Sequence, residues 1–426
     1  MESYAQVLNY AIPFFIGLIV TEAIWAWKKG MAINRGPDII SSLSSGMTNT
    51  IKDVLGLSII IISYSWLVDH IALFEIKATW AVYLVGFIVI DFAGYWIHRL
   101  EHEINILWNR HIIHHSSEEF NLSCALRQSI SNFTSFIAIF MIPAALLGVP
   151  AKVIAIIAPI QLFMQFWYHT RLIDRMGWLE NIIVTPSHHR VHHAINPQYL
   201  DKNYSQIFIV WDKLFGTFQP ELEDLPPVYG VKRQVNTWNP ILINFQHIWL
   251  LVKDAWRAKS WADKCKIWFM PTGWRPKDVA ENHPITVIED PYSQEKYNPT
   301  LSNPLLAWSW IQMTLTLVMM LFMFSQIAAF DFSLILMYGL FLVVSIYSFT
   351  TLMDKHGSAI VAEAIRLLIG LFLVYQTGGW FGLEKLFPFA GPMMIGYLAI
   401  SFLLTIAFLQ KIRIENKDRE TVAVAG

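Results

Sequence analysis

A chain of 426 residues that is 55% hydrophobic and only 15% charged is too apolar for a soluble enzyme, in which about a quarter of residues carry charge. Its net charge of −1 excludes the basic footprint of a nucleic-acid binder. The two cysteines, Cys124 and Cys265, lie far apart and outside any CxxC, which excludes a disulfide framework or a thiolate metal site.

A helical membrane span needs roughly 20 apolar residues. In chain order, 11–27, 54–72, 80–97, 305–325, 332–352, 358–377 and 391–410 meet that requirement. The first has no basic stretch before it and no A-x-A site after it, so it reads as a retained span rather than a cleaved leader. The apolar stretch 131–168 is broken at Pro143 and at Gly148-Val149-Pro150, which predicts a helical hairpin with two short arms. Residues 170–300 are polar and rich in Trp and Pro, and predict a water-facing cap. The expected architecture is all-α: a polytopic membrane helical bundle with a cytosolic helical cap that carries a dinuclear, histidine-rich metal site. Its expected divisions are N-terminal spans over 1–79, a core over 80–220, a cap over 221–304, and C-terminal spans with a tail over 305–426.

Basic residues set the expected orientation, because cytosolic loops hold most of the Lys and Arg. Lys28, Lys29, Arg35 and Lys52 follow the first span, and Lys411, Arg413, Lys417 and Arg419 follow the last. Placing both groups in the cytosol leaves only Lys77, Lys152 and Lys385 of the 31 basic residues outside. The same threading puts every clustered histidine on the cytosolic side. In the C-terminal spans Glu363 and Arg366 are i,i+3 neighbours and are expected to pair with each other.

Ten of the 14 histidines fall between residues 98 and 193. They read His98-x3-His102, His111-x2-His114-His115, His169 alone, and His188-His189-x2-His192-His193. Residues three and four apart share a helical face, so each cluster presents its rings together. Imidazole is a common transition-metal ligand and is neutral near physiological pH. Two ions with four or five nitrogen ligands each would use eight to ten such rings. The expected ligands are His98, His102, His111, His114, His115, His169, His189, His192 and His193, with His188 as a ligand or as a donor behind one. His70, His247, His283 and His356 are isolated and read as ordinary residues. Asp91, inside a span, is expected either to orient a ligand histidine or to make a structural hydrogen bond. Glu101 and Glu103 flank His102 and point to different faces; taken alone, Glu103 reads as an exposed helix acid. Ligand type does not select the metal. The location does favour one kind of chemistry, since a site at the ends of apolar spans suits a lipid, and unactivated lipid C–H bonds call for O2 and a redox metal such as iron.

The spacing HX3H, HX2HH, HX2HH on apolar helices resembles the fatty acid hydroxylase/sterol desaturase superfamily of membrane di-iron oxygenases. So do Thr185-Pro-Ser-His-His-Arg-Val-His-His193, Asn203-Tyr204, and Trp211-Asp-Lys-Leu-Phe-Gly-Thr-Phe218. Further stretches resemble its glyceryl-ether (alkylglycerol) monooxygenase family over nearly the whole chain: His98-Arg-Leu-Glu-His-Glu-Ile-Asn105, His114-His-Ser-Ser-Glu-Glu-Phe-Asn-Leu-Ser123, Ala125-Leu-Arg-Gln-Ser129, Gln165-Phe-Trp-Tyr-His-Thr170, and the extra C-terminal spans. That resemblance implies that the clustered histidines hold non-haem di-iron and that the acid after the second histidine, Glu103, is catalytic. It also implies O2 as oxidant and tetrahydrobiopterin as external reductant. The substrate would be a glyceryl ether, hydroxylated at the alkyl carbon next to the ether oxygen. The hemiacetal so formed collapses to a fatty aldehyde and a glycerol derivative. No fused haem or GxGxxG dinucleotide domain is visible, in keeping with an external donor. The pterin is expected in an aromatic-lined pocket of the 200–300 cap. The expected membrane is the endoplasmic reticulum in a eukaryote or the inner membrane in a bacterium. The alternatives are a sterol or fatty-acyl hydroxylase or desaturase with another donor and, more remotely, a metal transporter, which would hold its ligands near the bilayer midplane.

Overall fold

A computed structural model describes residues 2–60, 63–132, 134–135 and 137–425. Its helices, in chain order, are α1 (Glu2–Lys28), α2 (Gly36–Val54), α3 (Tyr64–Ile71), α4 (Trp80–Glu103), α5 (Asn105–Trp108), α6 (Ile112–His115), α7 (Ile137–Phe140), α8 (Ile142–Leu146), α9 (Ala151–Met164), α10 (Pro186–His192), α11 (Val210–Phe215), α12 (Pro240–Arg257), α13 (Trp261–Lys266), α14 (Lys277–Asn282), α15 (Asn303–Gln326), α16 (Phe332–Met353), α17 (Ala359–Thr377) and α18 (Ala390–Ala425). The named strands are two residues each, Ile59–Ile60 pairing in parallel with Thr134–Ser135. The fold is all-α, and the protein is a multi-pass membrane protein. Among the described residues, six helices are long and apolar enough to cross a bilayer, namely α1, α4, α15, α16, α17 and the part of α18 up to Lys417.

The segment 54–72 is not the span that its hydropathy predicts. Gly56 takes a left-handed φ of 66° just after α2, and the Ser63 hydroxyl caps α3 by accepting the Trp66 N–H, so the stretch is divided. The helix that packs among the spans is instead α2, which is polar. Ser41, Ser42, Ser44, Ser45 and Thr48 are all buried. Gly36 lies against Leu306 and Trp310 of α15, and Ile51 and Leu55 press on Gly339 of α16. Hydropathy misses α2 because protein, not lipid, covers it. Thr48 and Thr50 return their hydroxyls to carbonyls of their own helix, and Ser45 donates to the Gln128 carbonyl.

The interrupted stretch 131–168 forms the short-armed hairpin expected of it, with α9 packed on α4 through Val153, Ile157 and Ile90. Its tip is pressed onto the chain before α4. Gly148 has φ +77°, and a Cβ there would stand 1.8 Å from the Phe74 carbonyl oxygen, a backbone atom that cannot swing away. Gly148→Ala should therefore cost at least about 2 kcal/mol, combining a strained φ with a forced backbone shift. A lowered thermal midpoint in detergent checks this; an unchanged midpoint would mean that the tip is not held against Phe74.

One end of the bundle is defined by contacts between helix ends. Leu305 at the start of α15, Leu352 at the end of α16, Ala359 at the start of α17 and Ile412 of α18 form one cluster. Asp354, just past α16, accepts hydrogen bonds from Thr237, from the Trp238 N–H at 2.8 Å and from the Tyr297 hydroxyl at 3.0 Å. Glu22, near the end of α1, accepts from the Leu122 N–H at 2.7 Å and from the Thr170 hydroxyl at 2.5 Å. The connections that carry the histidines are thus tied to this same end. Glu363 and Arg366 pair as expected, 2.7 Å apart and buried among α15–α18.

Candidate metal centre

α4 runs unbroken past the apolar stretch 80–97 to Glu103, so His98 and His102 project from one face one turn apart. α6 is a single turn that presents His114 and His115, with His111 at its N-cap. α10 starts at Pro186, whose missing N–H costs nothing there, and carries His189 and His192, with His193 at its C-cap.

These elements, together with His169 in the turn that follows α9, bring nine of the predicted histidines into two sets. His98, His102, His111, His115 and His192 form one; His114, His169, His189 and His193 form the other, the ligand atoms within each lying within 4.8 Å of one another. In the first set His98 Nε2 is 2.9 Å from His111 Nε2, and His102 Nε2 is 3.1 Å from His115 Nε2. In the second, His114 Nε2 lies 3.3 Å from His169 Nε2 and 3.0 Å from His193 Nε2, and His189 Nε2 lies 2.8 Å from His169 Nε2 and 3.0 Å from His193 Nε2.

These contacts do not all work as hydrogen bonds. His114 Nδ1 lies 3.3 Å from the Arg127 carbonyl and His169 Nδ1 lies 2.9 Å from the Gln165 carbonyl. A carbonyl only accepts, so each Nδ1 carries the ring's proton and each Nε2 is a bare lone pair. The two Nε2 atoms then face each other with no hydrogen between them. His98 Nδ1 is fixed in the same way by the Tyr204 carbonyl at 2.7 Å, and His192 Nδ1 by the Lys202 carbonyl at 2.9 Å. His192 Nε2 is buried with no hydrogen-bond partner among the described residues. Nitrogens sharing one transition-metal ion at about 2.1 Å stand roughly 2.9–3.4 Å apart, close to the spacing of these pairs. The donor set therefore fits two cations.

Electrostatics agree. Burial, reinforced by the nearby rings, pushes His114 down to about 3 and holds His111, His115, His169, His189, His192 and His193 well below the ordinary imidazole value. At neutral pH these rings are uncharged bases, the form that binds metal. Phe120, fully buried, stacks on His169, and Tyr168 packs on His189 at 4.3 Å between ring centroids, covering these two rings of the second set.

His188 stands outside both sets. Its Nδ1 accepts the Thr185 N–H at 3.4 Å in a capping box at the start of α10, and burial pushes its pKa down to about 4. Glu103 is also apart: its half-exposed carboxylate pairs with Arg99 at 2.8 Å. Arg99 continues to the Tyr95 hydroxyl, which meets the Thr217 hydroxyl; that in turn donates to Asp212. Asp212 accepts the N–H groups of Tyr204 and Ser205, at the loop whose Tyr204 carbonyl holds His98. If Glu103 acts through this chain, Glu103→Gln should keep the metals yet lower kcat several-fold; wild-type kinetics would leave it a surface acid.

Two acids face the histidines: Glu101, with Oε2 3.6 Å from His111 Nδ1, and Asp201, with Oδ1 3.7 Å from His102 Nδ1. Helical arithmetic identifies Glu101, which is i+3 from His98, whereas the sequence leaves Asp201 open between a place behind a ligand ring and a solvated acid. Asp91 turns out to be structural, accepting from the Ile207 and Phe208 N–H groups and from the Trp211 indole. A cavity of about 330 Å³ opens beside the first set, walled by His102, His115, His192 and His193, by apolar Trp108, Ile112 and Leu250, and by Asp201, Lys232 and Arg233.

The fatty acid hydroxylase family matches residues 83–217, the stretch that carries both histidine sets. The chain is 35% identical to human alkylglycerol monooxygenase over 417 residues, covering 96% of this chain and 89% of that one. It is 34% identical to the alkylglycerol monooxygenase of Danio rerio, covering 94% and 89%. Over 32% of the chain and 41% of the relative it is 33% identical to an ornithine lipid hydroxylase of Rhizobium tropici. No solved structure matches the chain. Likeness over nearly the full length of both partners, on top of two histidine sets able to hold metal, places this membrane oxidoreductase: the chain belongs to the alkylglycerol monooxygenase family and carries a fatty acid hydroxylase domain.

Proposed function

We propose that the nine converged histidines hold a pair of irons and that the protein hydroxylates a glyceryl ether at the carbon next to the ether oxygen, with tetrahydrobiopterin as reductant and O2 as oxidant. The observation that carries this reading is the facing of bare Nε2 lone pairs, an arrangement that repels unless a cation lies between them. Bound iron would supply the activation of dioxygen that an unactivated C–H bond requires.

The chain's own residues have separable tasks. The carbonyls of Arg127, Gln165, Lys202 and Tyr204 fix four rings in one tautomer, so that Nε2 is available for a metal. Glu101 and Asp201, behind His111 and His102, favour proton density on the outer nitrogens and make the inner ones better donors. The cavity beside His102, His115 and His192 is mostly apolar, as a long alkyl chain requires, with Lys232, Arg233 and Asp201 available to a polar headgroup or to the pterin. The cytosolic side is the placement that fits the basic residues.

Metal analysis of the protein in bilayers, combined with product identification from an alkylglycerol, tests the proposal. A pair of irons per chain and fatty aldehyde formed only when a tetrahydropterin is added are the expected results. Ether turnover indifferent to the pterin would remove the reductant assignment. Hydroxylation of a sterol or acyl chain in place of the ether would remove the substrate.

A further inference from the structure

α12 is fastened to the ends of two different spans. At its start the Asn239 side chain donates to the Thr351 hydroxyl at 2.8 Å, on the last turn of α16. Two turns later His247 Nε2 lies 2.8 Å from the Asn105 carbonyl, and the Ile248 N–H donates to Asn109 Oδ1 at 2.8 Å, both just past α4. The ends of α16 and α4 belong to the same end of the bundle, so α12 runs across the bundle axis rather than along it.

Its two faces differ sharply. Ile243, Asn244, His247, Leu250, Leu251 and Asp254 are buried, and His247 and Leu250 line the cavity beside the histidines. On the other face Leu242, Trp249, Val252 and Trp256 are 39%, 60%, 40% and 85% exposed. Their spacing of seven, three and four residues keeps them on one side of a helix. Trp261 and Phe269, 79% and 73% exposed, extend the apolar row beyond α12. Lys253, Arg257, Lys259, Lys264 and Lys266 accompany this row against only Asp254 and Asp263, and Asp254 is engaged by Arg275 at 2.6 Å.

We infer that α12 and the α13 segment lie in the headgroup region of the leaflet that surrounds the histidine end of the bundle, with the row from Leu242 to Trp256 sunk into the lipid. A helix tethered crosswise between span ends, with tryptophans on its outer face and lysines beside them, has the chemistry of an interfacial helix. The basic surplus suits anionic headgroups. One helix thickness then separates the leaflet from the cavity.

The full-length protein carrying Cys265→Ser, with a single cysteine introduced by Trp249→Cys, Trp256→Cys or, as a control on exposed α14, Lys277→Cys, is labelled with an environment-sensitive fluorophore and reconstituted in vesicles containing anionic lipid. Metal content checks that each variant is folded. Brominated acyl chains should quench roughly half or more of the emission at positions 249 and 256 and little at 277, with aqueous iodide giving the reverse order. Iodide access at 249 and 256 equal to that at 277 would overturn the inference. So would shielding of 249 from both quenchers together with crosslinking of two copies through it, which would mark the face as a contact between chains. The readout needs no turnover, so its outcome is independent of the proposed reaction.

Discussion

His115→Ala and His192→Ala should each strip metal from the purified protein and lower turnover by more than about 100-fold, while the chain still inserts in the membrane. Changes to groups that merely support a ligand already cost about 10–100-fold, and these rings are the proposed ligands themselves. His115 Nε2 faces His102 Nε2 at 3.1 Å, and His192 Nε2 is buried without any other partner among the described residues. Either deletion takes one nitrogen from the five of the first set and opens a hole beside the cavity through which water reaches the ion. His188→Ala is the informative contrast. It removes a capping interaction worth about 1 kcal/mol and should leave the metals bound. Metal analysis and activity on all three variants check the assignment. Full activity without His115 or His192, or metal loss without His188, would contradict the division into two sets.

The second large effect is expected at Arg127. Its guanidinium is almost fully buried, pairs with Asp38 Oδ2 at 2.9 Å, and donates to the Ser42 and Ser116 hydroxyls at 3.0 and 2.8 Å. Asp38 also accepts from the Ser117 hydroxyl at 2.8 Å. The pair locks α2 to the segment that follows α6, and the Arg127 carbonyl holds His114. Arg127→Met would strand the Asp38 carboxylate in the protein interior, at a cost of about 3–5 kcal/mol. Adding Asp38→Leu should recover much of that loss, because the stranded charge is gone. Thermal midpoints of the single and double variants in detergent measure both steps. A single variant as stable as the wild type would show that the pair is not holding the segment.

What the sequence reveals here is what local spacing or bulk hydropathy encodes. The i,i+4 pair His98/His102 and the HX2HH runs mark the clustered histidines, and the five unbroken apolar stretches from residue 80 onward mark α4 and α15–α18. Glu363 and Arg366 find each other within one turn. The division of the rings between two centres is not local: His192 joins His98, whereas its neighbour His193 joins His114. That choice depends on how α4, α6 and α10 meet. The carbonyl acceptors are equally invisible, since every residue has one. Hydropathy also selects 54–72 over α2, because an average over side chains does not record which neighbours shield them.

That shielding bears on how the protein is made. The serine-rich helix leaves the ribosome some 250 residues before the hydrophobic pair that sheathes it. By itself it carries Asp38, Lys52 and Asp53 and would be poorly tolerated among acyl chains. Biogenesis must therefore keep this segment waiting, at the surface or beside the insertion machinery, until α15 and α16 arrive. The C-terminal quartet is then no dispensable appendix: a truncated version ending before residue 303 would retain every clustered histidine and still leave the serine-rich helix without its cover.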